Sequence, residues 1–298
     1  MRHMRRVVAM MAVLGAAAVA LAMTELSSGK STSISGTIFY SSFRSQALRG
    51  VDHYSVYLPA GYATGTTRYP VVYYLHGLPA SATAYKGIQP IAQALEETSK
   101  QAIVVGVQGA RSADTDPEWL DWGPGRNWET ATAKELVNVV DTRYRTIANR
   151  SGRMLVGISG GGYGATLIAL HNPRVYSVVE SWSGYFHPTD PDGTKALDLG
   201  SQQANAWASA HTLIPRLKQF LTNPVGHGYF AFYVGTNDSL FRAENEQFYA
   251  EIRKAGITKV VFRLYSGAHG WSLWSEHAET WLANGLADAA QPRVPTTG

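Results

Sequence analysis

The chain alternates short apolar runs, rich in β-branched residues, with longer stretches of helical periodicity. The short runs predict seven strands: Tyr54–Leu58, Val71–Leu75, Ile103–Val107, Met154–Ile158, Tyr176–Ser181, Tyr229–Val234 and Val260–Leu264. The longer stretches predict five helices: Ile88–Lys100, Ala131–Thr146, Gly161–His171, Glu244–Ala255 and Trp271–Leu286. Strands that are apolar throughout, with helices between them, are typical of a parallel sheet buried on both faces. The pattern therefore predicts one α/β domain with a mostly parallel central sheet and helices on both faces.

Two long segments interrupt this alternation, at residues 109–128 and 184–200. Both are too polar and too broken for a helix, and loops of this length in a compact domain are usually functional or disordered. The first segment holds Trp119, Trp122 and Trp128, and three tryptophans argue against disorder. These rings either pack as the core of a lid or form the apolar walls of a ligand site. The candidate substrate-binding residues are Trp122, Trp128 and, near the C-terminus, Trp271.

The N-terminus has the layout of a secretory signal peptide. Three arginines in the first six residues precede the apolar run Val7–Met23, and Ala20–Ala22 provides an A-x-A cleavage signal. We therefore expect export to the cell envelope or the medium, by the general or the twin-arginine route. The alternative is an uncleaved anchor, although the run is at the short end for spanning a membrane. The predicted organisation is a signal peptide at 1–22, a loose linker at 23–36, a single domain at 37–290 and a tail at 291–298.

Charge and cysteine content exclude several classes of function. The leader holds three of the 26 basic residues, which leaves 23 basic against 22 acidic residues after cleavage. With no basic run and no nucleic-acid-binding motif, we expect no nucleic-acid partner and no stable membrane insertion of the mature chain. The chain has no cysteine, which excludes a thiol nucleophile, disulfides and cysteine-ligated zinc. Its histidines lack metal-ligand spacing, so we expect no metal and no cofactor.

One short motif carries the strongest chemical signal. Residues Gly157–Gly161 read G-I-S-G-G, a G-x-S-x-G sequence that joins a predicted strand to a predicted helix. In such a turn the serine has a strained backbone, and the flanking glycines leave room for it. The turn lifts the hydroxyl above the sheet edge, where a base and a substrate can both reach it. Ser159 is therefore the candidate nucleophile, although with 29 glycines the motif arises by chance in roughly one such chain in five.

The same glycine stretch permits a second interpretation. Gly160–Ala165 also matches G-x-G-x-x-A after a strand, with Glu180 in the next strand. That arrangement is typical of a dinucleotide site, with the pyrophosphate at the helix N-terminus and the acid on the ribose. The motif lies in mid-chain after three strands, however, whereas the dinucleotide fingerprint normally opens its domain. The nucleophile interpretation is therefore favoured.

Two later strands supply partners for a nucleophilic serine. In an open parallel sheet, active sites assemble at the carboxyl ends of the strands. Asp238 follows the sixth predicted strand and His269 the seventh, which gives the order Ser–Asp–His that α/β-hydrolases use. The imidazole would accept the serine proton, and the carboxylate would hold the imidazole in one tautomer. Asp238 has an alternative role as a helix cap, and Asp198 and Glu180 are the reserve acids.

Attack on a carbonyl also needs N–H donors for the developing oxyanion. One is the backbone N–H that follows the nucleophile, on Gly160. The other comes from the loop after an early strand, and Val71–Leu75 runs directly into His76, Gly77 and Leu78. We expect the Leu78 N–H to be the second donor and His76 to be structural. The alternative is that His76 and Gly77 merely end the strand.

Four segments together resemble one known family. They are L-H-G-L-P at 75–79, G-I-S-G-G-G-Y-G-A at 157–165, N-D-S-L-F at 237–241 and H-G-W-S-L-W at 269–274. The stretch at 127–146 is also similar to the helix that precedes the nucleophile strand in that family. From about Asp52 to Leu286 the chain resembles the esterase-D-like "putative esterase" family. That family includes feruloyl and acetylxylan esterases, S-formylglutathione hydrolases and bacterial mycolyltransferases.

The resemblance implies an α/β-hydrolase fold and assigns roles to matching residues. These are Ser159 as nucleophile, Asp238 as acid, His269 as base, and Leu78 and Gly160 as oxyanion donors. Mycolyltransferases tend to have an aspartate in place of His76 and a glutamate in the triad, so the resemblance favours the hydrolases. We therefore expect an exported serine carboxylesterase that hydrolyses a small-molecule or carbohydrate-linked ester through an acyl-enzyme. An acyltransferase and a non-catalytic carbohydrate-binding protein are the alternatives.

Overall fold

A computed structural model describes residues 33–294 and contains an eight-stranded sheet. The strands are β1 Thr37–Ser45, β2 Gly50–Leu58, β3 Val71–Leu75, β4 Ile103–Val107, β5 Arg153–Ile158, β6 Val178–Trp182, β7 Tyr229–Gly235 and β8 Val260–Tyr265. Their order across the sheet is β1-β2-β4-β3-β5-β6-β7-β8. The β1–β2 and β2–β4 pairs are antiparallel, and every pair from β4 to β8 is parallel. Strand β5 therefore lies inside the sheet, between β3 and β6.

Helices cover both faces of this sheet. They are α1 Gln89–Glu97, α2 at residues 128–143, α3 Gly160–His171, α4 Gln202–Leu221, α5 Arg242–Lys254 and α6 Trp271–Asp288. On one face, α2 to α5 bury apolar side chains such as Ile168 and Phe248 in a single core. On the other face, α1 and α6 bury Ile91 and Trp281 in a second core. The predicted mostly parallel sheet with helices on both faces is confirmed.

Helix α3 is enclosed by the rest of the domain. All of its residues from Gly160 to Leu170 are buried, as suits a helix without a polar face. It follows β5 after a single intervening residue, Ser159, and β5 is itself buried from Met154 onward. The middle of the sheet and the most buried helix therefore form a rigid base for Ser159.

All seven predicted strands and all five predicted helices are present, with ends shifted by a few residues. Strand β1 was not predicted, because it is an edge strand with mixed polarity whose Phe39 and Tyr40 are exposed. Helix α4 was not predicted either, because Pro215 lies inside it and proline disfavours a helix interior. A helical signal was nevertheless present at the buried positions Ala206, Ala210, Leu213 and Leu217.

The predicted signal peptide at 1–22 and most of the predicted linker lie outside the described residues. The last part of that linker is described and has definite partners. The backbone N–H groups of Ser35 and Gly36 donate to the carboxylate of Glu96 in α1, at 2.9 and 2.8 Å. These bonds tie the segment before β1 to the domain.

Part of the predicted C-terminal tail is also paired with the domain. Two backbone hydrogen bonds, of 2.8 and 3.0 Å, join Arg293 to Arg68. Across residues 33–294, no helix combines the length and the apolar character that crossing a membrane requires.

Candidate active site

Ser159 lies in a sharp turn between β5 and α3. Its backbone φ of 53° and ψ of −121° lie in a region that non-glycine residues rarely adopt. A Cβ atom on Gly157 would overlap the carbonyl oxygen of Gly161, and one on Gly161 would overlap that of Leu75. The outer glycines of the G-x-S-x-G motif are therefore required by close backbone approach. The strained turn is the one that the motif predicts.

The structure brings Ser159, His269 and Asp238 together in one hydrogen-bonded chain. The Nε2 atom of His269 lies 3.1 Å from the Ser159 hydroxyl oxygen. The Nδ1 atom of the same His269 ring lies 2.8 Å from Oδ2 of Asp238. With a proton on Nδ1 donated to the carboxylate, Nε2 is an acceptor aimed at the serine hydroxyl. This is the geometry of an activated nucleophile, its base and the residue that orients the base.

The two carboxylate oxygens of Asp238 have different partners. While Oδ2 faces His269, Oδ1 accepts the backbone N–H groups of Leu240 and Phe241, both at 3.0 Å. Asp238 does not cap the next helix, as the alternative interpretation predicted, because its backbone donors lie in the turn before α5 and the N-cap of α5 is Phe241. Because Asp238 is only 1% exposed, these bonds fix the carboxylate in one orientation.

The two reserve acids lie elsewhere and have their own partners. Asp198 lies in the loop before α4 and accepts hydrogen bonds from Gly200 in that loop and from Asn205 in the helix. Glu180 is fully buried in β6, where its carboxyl group accepts the indole N–H of Trp182. Burial raises the pKa of Glu180 to about 8. An enclosed carboxyl cannot reach a ribose, so the structure removes the acid on which the dinucleotide interpretation depended.

The two expected oxyanion donors lie side by side. Gly160 is the first residue of α3, so its N–H has no acceptor within the helix. A Cβ atom on Gly160 would lie 2.9 Å from Cγ of Leu78, and one on Gly77 would lie 3.1 Å from Cβ of Ser159. The His76–Leu78 loop therefore passes directly over Ser159. This placement is compatible with a shared role for the N–H groups of Leu78 and Gly160.

His76 is a buried part of this loop. Its ring nitrogens lie 2.8 Å from the carbonyl oxygens of Gly77 and Gln108. Burial lowers its pKa, although the two carbonyl contacts act in the opposite direction. These contacts match the expected structural role. Across residues 33–294, no group of three or more acidic or histidine side chains is arranged to hold a metal ion.

Two aromatic rings hold the imidazole of His269. Phe241 and Trp274 both contact it edge-on, with ring centroids 5.3 and 5.2 Å away. The indole N–H of Trp274 donates to the Ser183 hydroxyl at 3.1 Å, which fixes that ring in turn. Both residues belong to the motifs that follow β7 and β8, but their contacts with His269 were not predicted. Their packing limits the rotation of the His269 ring.

The three candidate tryptophans have different surroundings. Trp271 is 39% exposed and makes an edge contact with Trp274, so it lies at the rim of the triad. Trp122 packs on the main core and donates its indole N–H to Pro117. Trp128 is only 1% exposed and packs with Ala47, Leu48 and Ala131 in a small separate core. The interpretation of Trp128 as a pocket wall is therefore wrong, because its ring is not accessible to a ligand.

Tyr185 is a neighbour of the site that the sequence did not reveal. Its hydroxyl would lie 3.4 Å from a Cβ atom on Gly160, and it donates to Glu118 at 2.6 Å. Burial and the nearby Glu118 carboxylate raise the Tyr185 pKa well above its usual value, so the hydroxyl stays protonated. Tyr185 and Glu118 lie in the two long segments that interrupt the alternation of strands and helices, at 184–200 and 109–128. Only the expectation that such loops are functional pointed to these residues.

Solved structures with the same fold include a ferulic acid esterase and an S-formylglutathione hydrolase. A ferulic acid esterase superposes with a TM-score of 0.66 at 22% identity, over 86% of this chain and 100% of the other. An S-formylglutathione hydrolase from Agrobacterium tumefaciens gives 0.65 at 18% identity, over 88% and 99%. Mycobacterium tuberculosis MPT51 (FbpC1) gives 0.63 at 16% identity, over 85% and 99%. These likenesses confirm the α/β-hydrolase fold.

Sequence comparison identifies the family. Esterase Rv1288 of Mycobacterium tuberculosis is 29% identical over 152 residues, which are 49% of this chain and 32% of that protein. The chain thus matches about a third of the length of this relative. The "Putative esterase" family matches residues 45–280, most of the domain. The chain therefore belongs to the "putative esterase" family.

Proposed function

We propose that this protein is a serine carboxylesterase that acts through an acyl-enzyme intermediate. One observation carries the proposal: His269 lies 3.1 Å from the Ser159 hydroxyl and 2.8 Å from the Asp238 carboxylate. A serine hydroxyl is a weak nucleophile until a positioned base takes its proton. The strained turn at Ser159, the order of the three residues along the chain and membership of an esterase family support the same role.

In the first half of the proposed reaction, Ser159 is acylated. His269 takes the hydroxyl proton at Nε2 while Oγ forms a bond to the ester carbonyl carbon. The carbonyl electron pair moves onto oxygen, and the N–H groups of Leu78 and Gly160 stabilise that charge. The intermediate then collapses, the alkoxide leaves, and His269 returns the proton to it. The acyl group stays on Ser159.

In the second half, water releases the acyl group by the same steps. His269 takes a proton from water, the resulting oxygen attacks the acyl carbon, and the proton returns to Ser159 as the acid departs. Asp238 keeps the imidazole in the required tautomer and stabilises its positive charge in both halves. If another alcohol competes with water, the same intermediate supports acyl transfer. The geometry around Ser159 supports its acylation, and both hydrolysis and acyl transfer begin with that step.

The rim of the site supports an ester with apolar surface near the reacting bond. Leu78, Leu240 and Trp271 are 36%, 54% and 39% exposed. Each lies within two residues of a triad member or is itself an expected oxyanion donor. Apolar residues around a few fixed polar groups are usual for small-molecule sites. We propose a small-molecule or carbohydrate-linked ester, and hydrolysis of short-chain, feruloyl and trehalose esters would narrow the class.

The proposal includes export, which rests on the sequence of residues 1–22. Expression of the full chain in a bacterial host followed by N-terminal sequencing of the exported protein tests it. We expect an exported product that begins near residue 23. A product retained in the cytoplasm with its arginines intact would contradict export without bearing on the esterase chemistry.

Replacement of Ser159 is the direct test of the chemistry. We expect Ser159→Ala to reduce hydrolysis of p-nitrophenyl acetate by about 10⁴-fold or more, because Ser159 is the hydroxyl that is hydrogen-bonded to His269 within residues 33–294. Ser275→Ala is the matched control, because that exposed hydroxyl bonds only to the backbone of its own helix. Ser275→Ala should retain wild-type kcat and KM. Retained activity in folded Ser159→Ala would contradict the proposed mechanism.

A further inference from the structure

The segment Asp116–Trp119 has an unusual backbone for residues with side chains. Asp116, Glu118 and Trp119 have φ values of 27°, 51° and 66°, in the left-handed region that favours glycine. Such conformations persist only where surrounding contacts hold them, and they concentrate at functional sites. The contacts of this segment therefore indicate what it does.

Two of these side chains hold the loop that carries Leu78. Oδ1 of Asp116 accepts the backbone N–H of Ala80 at 2.6 Å, two residues after Leu78. The indole of Trp119 packs on the ring of His76, with centroids 4.9 Å apart, two residues before Leu78. The loop is thus anchored on both sides of the expected oxyanion donor.

The same segment also reaches the second donor. Glu118 accepts the Tyr185 hydroxyl at 2.6 Å, and that hydroxyl lies beside Gly160. Trp119 lies so close to α3 that a Cβ atom on Gly164 would overlap its ring. The segment therefore contacts the surroundings of both Leu78 and Gly160 and fixes their distance from each other.

We propose that Asp116 is a positioning residue that sets the direction of the Leu78 N–H toward the oxyanion. The inference rests on the proposed function of Ser159 and goes beyond it by assigning a role to a residue outside the triad. Oxyanion donors act only when they are pre-aligned with the charge that develops, so a small displacement of one donor slows the chemistry. Without the Asp116 carboxylate, the Ala80 side of the loop loses its anchor, while the triad keeps all of its contacts.

Two variants separate this role from general damage to the loop. Asp116→Gly removes the acceptor and suits the left-handed backbone, whereas Asp116→Asn keeps an acceptor oxygen and also tolerates that backbone. The matched control is Asp114→Ala, because Asp114 lies in the same loop but bonds to Arg111 and not to the oxyanion loop. Each variant is assayed with p-nitrophenyl acetate for kcat and KM, and its Tm is measured.

We expect Asp116→Gly to lower kcat by about 10- to 100-fold with KM changed by less than about threefold. Binding of phenylboronic acid, which forms a tetrahedral adduct on a catalytic serine, should weaken in proportion to kcat/KM. The pH dependence of kcat should keep its shape, because His269 is untouched. Asp116→Asn should recover kcat to within about threefold of wild type, and Asp114→Ala should match wild type.

The outcomes are decisive in each direction. Wild-type kcat and boronate affinity in Asp116→Gly would overturn the positioning role, as would a rise in KM at constant kcat. An equal loss of kcat in Asp114→Ala would overturn it too, because the effect would then come from the loop as a whole. Activity in Ser159→Ala, measured alongside, would instead overturn the proposed function, so the two failures are distinguishable.

Discussion

Two regions of the sheet each bury a carboxylate among aromatic rings, and they differ in what the carboxylate contacts. At the carboxyl ends of β7 and β8, Asp238 contacts the imidazole of His269, which is flanked by Phe241 and Trp274. Beneath α6, Glu180 contacts the indole of Trp182 and lies 3.5 Å from the Tyr233 hydroxyl. An imidazole can carry a proton to a substrate, whereas an indole and a phenol in the core cannot.

The two groups also differ in their hydrogen-bond donors. Asp238 accepts two backbone N–H groups, from Leu240 and Phe241, in addition to its contact with the imidazole. Burial outweighs the hydrogen bonds that Glu180 accepts from Trp182, Tyr233 and the Gly285 backbone, and it raises the pKa of Glu180 to about 8. Burial of an acid therefore does not identify a catalytic acid. What matters is a donor that connects it to the surface.

The largest expected difference between the two regions is in catalysis. Asp238→Asn should lower kcat by about 10⁴-fold, because an amide can hold His269 in the wrong tautomer. Hydrolysis of p-nitrophenyl acetate from pH 6 to 10 measures the loss. A folded Asp238→Asn protein with kcat near wild type would show that Asp238 serves only as the cap of its turn.

A smaller effect is expected from the rings around the base. Trp274→Leu should lower kcat by about tenfold, because His269 loses an edge contact that limits its rotation. Trp271→Ala is the comparison variant and should raise KM by about threefold at nearly constant kcat, since its ring lies at the rim. Steady-state kinetics of both variants test the distinction. Equal effects on kcat would mean that the two rings do not have separate roles.

The smallest catalytic effect is expected at Glu180, where the change appears in stability instead. The folded state binds a proton more tightly than the unfolded state, because the pKa of Glu180 rises from 4.5 to about 8 on burial. Its contribution to stability is therefore complete below about pH 4.5 and is lost as pH rises toward 8, by up to about 1.4 kcal/mol per pH unit. Glu180→Gln removes this loss.

Thermal unfolding of both proteins from pH 4.5 to 9 measures this prediction. We expect Glu180→Gln to unfold at a higher temperature than wild type above pH 8, with kcat at pH 7 within about threefold of wild type. Parallel Tm curves would show that Glu180 is not a protonated core acid. A large loss of kcat would place it in the catalytic machinery.

Much of the fold follows from local pattern. Strands β3 and β4 are buried and carry no polar side chain, so they stand out in the sequence, and α3 follows from its position after the glycine-rich turn. Edge strand β1 lacks that signal because one side of it faces solvent. Helix α4 contains Pro215. In the sequence, this proline argued against a helix more strongly than the spacing of the apolar residues argued for one. Local propensity does not report the packing that stabilises such elements.

Part of the candidate site could be predicted, because the types of its residues and their order along the chain both indicated the same chemistry. Ser159, Asp238 and His269 follow buried strands, so topology alone brings them to one edge of the sheet. Trp128 was misassigned for a connected reason. It packs against Ala47 in the turn between β1 and β2, and β1 was the strand that the pattern did not predict.

The contacts of Asp116 and Tyr185 depend on loop conformations that no periodicity encodes. Asp116 reaches Ala80 only because its segment adopts left-handed backbone angles, and Tyr185 reaches Glu118 across 67 positions of sequence. Such contacts follow from the folded loops as a whole. They therefore become visible only in the structure.

Covalent labelling shows whether Ser159 is the nucleophile. The mature protein is treated with a fluorophosphonate probe, and the modified peptide is identified by mass spectrometry. We predict one adduct per chain, on Ser159, with no adduct in Ser159→Ala and strongly slowed labelling in Asp238→Asn. An adduct on another residue, or undiminished labelling of Ser159→Ala, would contradict the account.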